Sequence, residues 1–434
     1  MSSPTNPTPL GPGYQQTGQY TGAGGAWVPP IIKEAITSAS SAPPVQPGSG
    51  YRYLCTNVIT GELMGDWLPI TGQSFARALS STGSGTCVLN QTGNPAADAA
   101  NVAAVTARKA VLWVLQEGAV IWNGLVLDWQ HQSILDGTLP LNCASLDCIL
   151  ARRIINTTLT YTDEDVFDVA RNLVGYALGK TPNGIIANLT FSGGESGITD
   201  SFSFPSDQRI SVYDALTTLT STYNIEWAFR PYQDASGNFM TSFDLAYPQM
   251  GLAFPQSGLV YQFPGNILDY EIMAMGSVSA NRVLATAQNT TATDSGDTLT
   301  GRATDNLDLM TYGFPLFEMQ ISASYGQWTT DAQVTAYAAG YLPQVTDTQL
   351  TPLLTLPGGV YPLLAQTVLG SYAQVSLTSW LHPASPTGAP GFSGLGRVTG
   401  WTLTPAAAQQ AETTQIQMGN MTLTGDPGNT DISY

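Results

Sequence analysis

Two histidines, His131 and His382, are all the imidazole in this 434-residue chain, and they stand far apart in unlike polar surroundings. Metal sites and activated nucleophiles usually draw on histidine, so either one offers at most a lone catalytic base. No Gly-x-Ser-x-Gly, His-Glu-x-x-His, phosphate-loop or dinucleotide fingerprint is present. Carboxylates offer more. Two acids at a suitable separation suffice for glycoside hydrolysis, and Glu226 and Asp244 stand in expected strands near Trp227, where they could face a cleft. The densest acidic cluster is Asp163, Glu164 and Asp165. As the first turn of an expected helix it favours the positive end of the macrodipole, a structural role. Asp294, Asp297, Asp305 and Asp308 could supply oxygen ligands to calcium from one loop, but they lack EF-hand spacing and read as a solvated loop. Cys143 and Cys148 have no second pair and no nearby histidine, a poor zinc set. With Cys55 and Cys87 they read as reduced, buried thiols. Nine Trp and nineteen Tyr could stack sugars. Trp113, Trp122, Trp129 and Trp401 fall within expected strands, which points to core or interface packing. The inventory yields no catalytic, cofactor-binding or metal residue, and the expectation is a structural assembly protein that is not an enzyme.

The surface supports that expectation. Acidic residues number 31 and basic ones 14, so charged side chains make up 10% of the chain, against about 25% in ordinary soluble proteins. Thr, Ser, Gln, Asn, Gly and Pro replace them, as suits a subunit whose surface is covered by neighbours. A net charge of −17 without any Lys/Arg cluster excludes a surface that seeks nucleic-acid phosphates. Meeting DNA, such a surface repels it, as the wall of a conduit would. No basic segment followed by an apolar run opens the chain, and no stretch of about 18 apolar residues occurs, so no membrane segment is expected and folding in cytoplasm is.

Elements follow from the spacing of apolar and turn residues. Residues 1–50 are rich in Pro, Gly, Ser and Thr around one cluster, Ile31-Ile-Lys-Glu-Ala-Ile36, the composition of an extended arm. Residues 51–154 alternate short apolar runs with turns. Strands are expected over 51–58, 63–70 and 86–90, with a hairpin of 110–116 and 119–128 closing on Glu117-Gly118 and an Ala-rich helix over 96–107. Residues 155–255 switch to a 3.6-residue period after Thr162, an expected N-cap, with Gly179 as the stop. A strand over 185–191, a helix from Ser211 to Tyr223 and a hairpin across 234–238 complete a mixed α/β unit. Residues 256–434 return to strands, over 266–275, 281–288, 317–324, 366–377, 396–403 and 413–423, with one helix over 331–342 and a long loop over 289–308. The fold class expected is mainly β, with an α/β insert.

The stretch Leu63-Met-Gly-Asp-Trp-Leu-Pro-Ile-Thr-Gly-Gln-Ser-Phe75 resembles the N-terminal β domain of tail-hub, or minor tail, proteins of long-tailed, non-contractile actinobacteriophages. The likeness continues through Val114 to Gly124, with Gly118, Trp122 and Gly124, and through Leu139 to Arg153, a strand and short helix ending in paired arginines. Asn281-Arg-Val, Tyr312-Gly and the helix from Thr330 to Leu342 resemble the family's second barrel, so coverage runs from about residue 51 to 425. The resemblance implies two small β-barrel-like hub domains flanking the α/β region in a homotrimeric ring. Three chains with two barrels each would present a pseudo-sixfold surface, adapting a sixfold tail tube to a threefold tip. It further implies a place at the virion's tail tip, with a distal tail protein, a tape-measure protein and receptor-binding tip proteins as partners, and genome DNA passing through the lumen without specific binding. Alternatives from other classes are a β-rich cell-wall glycan hydrolase using Glu226 and Asp244, and a carbohydrate-binding adhesin using an exposed tryptophan.

Overall fold

In the computed structural model of the chain the described residues are 50–423, apart from 131–136, 180–185, 290–296, 307–309, 311–312, 314, 323–328, 343–344, 346–348, 387, 408–410 and 420. The first β unit holds β1 (Tyr51–Asn57), β2 (Leu63–Gly65), β3 (Ile70–Ala78), β4 (Ser84–Asn90), α1 (Pro95–Ala104), β5 (Ala110–Gln116), β6 (Ala119–Trp129) and β7 (Thr138–Ala144). The β5 sequence Ala-Val-Leu-Trp-Val-Leu has no polar alternation because both its faces are buried. Ala110, Leu112 and Val114 enter one core, while Val111, Trp113 and Leu115 enter another. Glu117 and Gly118 close the β5–β6 hairpin with φ of 49° and 85°, the doubly left-handed turn that matches strand twist. The continuous strand expected over 63–70 is broken instead. Trp67 takes φ 49°, and Asp66 accepts hydrogen bonds from the Trp67 amide and from Arg52. The chain thereby turns into β3.

The α/β region begins with a short 3-10 helix, Leu146–Arg152, followed by β8 (Leu159–Asp165), α2 (Val166–Leu178), β9 (Leu189–Ser192), β10 (Thr199–Phe204), α3 (Val212–Tyr223), β11 (Glu226–Gln233) and β12 (Phe239–Ala246). Two expectations are corrected here. Thr162 caps no helix, because β10, absent from the sequence reading, pairs with β8 and draws Asp163, Glu164 and Asp165 into strand backbone. The helix starts at Val166 with Asp165 as its N-cap. The strand expected from Ile185 begins at Leu189, and residue 185 lies outside the described residues. Gly179 ends α2 and Ser211 caps α3, as expected, and Asn224, which the sequence reading did not single out, ends α3 in the left-handed region.

The last region contains β13 (Leu259–Phe263), β14 (Asp269–Met275), β15 (Arg282–Gln288), β16 (Thr298–Thr304), β17 (Glu318–Ser322), α4 (Asp331–Tyr341), β18 (Gln349–Pro357), β19 (Tyr372–Leu377), β20 (Phe392–Thr404), β21 (Thr413–Met418) and β22 (Thr422–Leu423). Part of the loop expected over 289–308 is β16, which pairs with β15. The strand over 366–377 begins only at Tyr372, and β13 and β18 were not foreseen. Helix α4 carries the capping box of Thr330 and Gln333. It lies against β16 at Gly301, where a Cβ would stand 2.3 Å from the backbone of Val334 and Thr335.

The chain is mainly β, with two barrel-like β units flanking the α/β region. Both units join one 14-stranded sheet, in the order β14-β18-β21-β20-β3-β4-β7-β6-β5-β1-β2, with β19, β13 and β22 branching from β20. The seam is β20 against β3, Gly400 opposite Ala78 through Leu403 opposite Phe75. One apolar core runs through both units and includes Phe75, Trp122 and Trp401. A second core lies between the backs of β1, β5 and β6 and the helices α2 and α3. A third joins β15, β16 and α4.

Candidate functional site

Strands β11 and β12 carry alternating apolar and polar residues. Trp227, Phe229, Phe243 and Leu245 face the helices. Glu226 is paired with Ala246 and Asp244 with Ala228, so the two carboxylates lie on the opposite face as diagonal neighbours. That face abuts β3 and β20, and arginines from both strands reach it. The Glu226 carboxylate accepts a bidentate pair from Arg397 of β20, at 2.8 and 2.7 Å, and a further bond of 2.6 Å from the Met250 amide. Arg397 also donates to the carbonyls of Gly370 and Met250, 3.0 Å each. Burial opposes the charge on Arg397, but the hydrogen bond and charge of Glu226 outweigh it and raise the guanidinium pKa above its ordinary value.

Asp244 is 2% exposed and accepts from Arg230 at 2.6 Å and from the hydroxyls of Ser192 and Ser242. Arg77 of β3 donates to the Phe229 carbonyl at 2.6 Å. Burial, with Arg230 adding like-charge repulsion, pulls the Arg77 pKa down to about 10. Ser80 and Trp227 exchange hydrogen bonds across the same seam. Both carboxylates weighed for glycoside hydrolysis are therefore held by arginines: Asp244 by Arg230 within the β11–β12 hairpin, and Glu226 by Arg397, which with the Arg77 bond to the Phe229 carbonyl fastens β11 to both β units.

Deeper in the seam Asp147 is 1% exposed. Ser145 Oγ donates to its Oδ1, while its Oδ2 has no hydrogen-bond partner among the described residues. Burial raises the Asp147 pKa, against the pull of its Ser145 hydrogen bond and of Arg77. With the folded value above the unfolded 3.8, the native state binds more protons in that window, and stability falls as pH rises through it. Asp147→Asn is expected to flatten this slope and raise the urea midpoint at pH 7. An unchanged profile between pH 4 and 7 would count against it.

The other candidate residues are placed as follows. Asp165 accepts from the amides of Phe167, Ser196 and Gly197 and from Ser196 Oγ. The macrodipole role thus belongs to this one acid of the three. Asp165→Ala is expected to cost about 1–2 kcal/mol in chemical denaturation, whereas exposed Asp163→Asn stays within about 0.5 kcal/mol. Equal costs would refute the assignment. Asp294, Asp308 and His131 lie outside the described residues. Asp297 and Asp305 flank β16, roughly 25 Å apart along a strand, too far to share a cation. His382 is buried against Phe392, ring centroids 5.2 Å apart, and burial lowers its pKa. All four cysteines are buried and free. A hydrogen bond to Cys87 and burial raise the Cys143 thiol, and burial pushes Cys148 up to about 12, which makes both poor thiolates. Trp113, Trp122 and Trp401 are buried, but Trp129, at the end of β6, is 51% exposed and not in the core.

Sequence reasoning missed the arginines of the seam. The available signal was Arg397 between Gly396 and Val398 in a strand of small and apolar residues, since a strand guanidinium in so uncharged a chain needs a carboxylate partner. The paired arginines of the resemblance close the 3-10 helix, and Arg153 donates to the Ala177 carbonyl at 2.9 Å near the end of α2.

No protein-family model and no curated protein matches this sequence. Solved structures do. The chain is similar to the tail protein from Neisseria meningitidis MC58, with TM-score 0.53 at 12% identity over 85% of this chain and 96% of that one. It is similar to the 43 kDa tail protein of prophage MuSo2 from Shewanella oneidensis, TM-score 0.53, 10% identity, 86% and 98% covered. A third is prophage tail protein gp18 from Listeria monocytogenes EGD-e, TM-score 0.50, 8% identity, 85% and 94% covered. At these identities what is shared is the fold.

Proposed function

We propose that this chain is a structural protein of a phage tail, and within it the hub at the distal end. The observation that carries the reading is a fold shared over at least 85% of the chain with three proteins described as tail or prophage tail proteins. The arginine-fastened seam supports a mechanical role, because it makes two β units and the α/β region one body. Two similar β units per chain suit a homotrimer whose three copies offer six near-equivalent barrels to a sixfold tube. Distal tail, tape-measure and receptor-binding tip proteins are its partners, and a net charge of −17 suits a lumen that lets DNA pass without holding it. Residues 51–154, 155–255 and 256–434 are proposed as first hub domain, α/β domain and second hub domain, with residues 1–50 as an arm.

The test is light scattering of the purified chain together with electron microscopy of antibody-labelled virions. The expected result is a particle of three times 45.9 kDa and label at the tail end. A monomer at micromolar concentration, or label on the head, would refute it. One observation favours an adhesin role beside this one: Trp380 is 90% and Leu381 51% exposed, on a loop, 378–391, without Asp, Glu, Lys or Arg. Loss of glycan binding on Trp380→Ala would establish it, and absence of glycan binding by the native chain would remove it.

A further inference from the structure

The apolar surface beside α1 is unaccounted for by the tail reading, and so is the apolar cluster of the N-terminal arm. Between α1 and the ends of β4, β6 and β7 lies a groove of about 420 Å³, a volume in the range of ligand sites. Leu89, Val102, Trp129 and Leu139 form its apolar lining, with Asp98 and Asn101 at its polar side. Val102 and Trp129 are 50% and 51% exposed, and large apolar side chains gathered at one concave site mark a docking surface. Thr92 donates twice to one Asp98 oxygen, at 2.7 Å each, and holds the carboxyl below its ordinary pKa, so the groove carries a negative charge.

Residues 1–49 contain one dense apolar run, Trp27-Val-Pro-Pro-Ile-Ile-Lys-Glu-Ala-Ile36, and it includes Lys33, their sole cation. We propose that this groove receives the chain's own residues 27–36, with Ile31 and Ile32 against Val102 and Trp129 and Lys33 against Asp98. The reach suffices within one copy. Gly50 is fixed at the β5–β6 hairpin by the Glu117 amide, and the groove lies past the other end of β6, whose 11 residues span about 36 Å. The 14 residues from Ile36 to Gly50 extend to about 46 Å. A tethered segment also acts at an effective concentration near the millimolar range, so a free partner of equal affinity is outcompeted.

The test is photo-cross-linking in the full chain carrying p-benzoylphenylalanine in place of Ile32. Most cross-linked peptides are expected to contain Val102, Trp129 or their neighbours. Val102→Glu, an exposed position on α1 whose change leaves the melting curve in place, should lower the yield at least fivefold. Asp98→Lys should do likewise, and adding Lys33→Asp should restore it. Cross-links elsewhere, no cross-link at all, or a yield indifferent to Val102→Glu would overturn the proposal. Cross-links joining heavy and light copies in an isotope mixture would overturn its same-copy part. None of these readouts depends on the tail assembly.

Discussion

Trp122→Ala is expected to destabilise the chain by about 3–5 kcal/mol, the range for emptying a fully buried large aromatic site. Trp122 is 0% exposed, donates from Nε1 to the Ala76 carbonyl at 3.1 Å, and meets Phe75 with ring centroids 5.1 Å apart. Collapse around the hole is poor because the slot is made by backbone. A Cβ on Gly124 would stand 2.3 Å from the indole and 2.6 Å from the Ala144 carbonyl, and one on Gly85 would stand 2.6 Å from the indole. Those two glycines exist to admit the ring. Urea denaturation followed by circular dichroism measures the loss, and Gly124→Ala should cost about 1–3 kcal/mol by overpacking. A Trp122→Ala cost below about 1 kcal/mol would mean that the site relaxes and that the slot is not rigid.

The second large effect belongs to the seam. Arg397→Ala should cost about 3 kcal/mol, the low end for breaking a buried pair, since both side chains retain 18% exposure. What is lost is the partner of Glu226 and the donor to two carbonyls, with the carboxylate left desolvated. Arg397→Lys should recover part of it and remain about 1.5 kcal/mol short, because a single ammonium cannot reproduce the bidentate geometry. A double-mutant cycle with Glu226→Ala should give a coupling energy of about 1.5–3 kcal/mol. Additive single costs would show that the pair does not fasten the seam. Limited proteolysis offers a second readout, with earlier cleavage in the α/β region of Arg397→Ala if the seam holds that region in place.

Much of the local structure was legible, and the reasons are local. Glu117-Gly118 marks its hairpin because two adjacent left-handed residues are needed there and a glycine supplies the second at no steric cost. Ser211 marks the start of α3 because cap chemistry is satisfied within three residues. The seam was legible only in half. Glu226 and Asp244 stood out as acids in strands, but their chemistry depends on guanidiniums at Arg397 and Arg230, and Arg397 lies 171 positions along the chain from Glu226. Read alone, two strand carboxylates beside a tryptophan keep a hydrolase reading open beside that of ordinary scattered strand acids.

What the amino-acid sequence determined by itself is the scarcity of reactive side chains and the sites of its tight turns and helix ends. These depend on residue type and on contacts a few positions apart. What only the tertiary structure decided is pairing at long range. Asp163, Glu164 and Asp165 form a strand because β10 offers them hydrogen-bond partners. The two β units share a sheet because β20 returns to β3 after more than 300 residues. Helix propensity is worth tenths of a kcal/mol per residue, and a strand ladder with buried faces outweighs it once closure of the chain has brought the partner alongside.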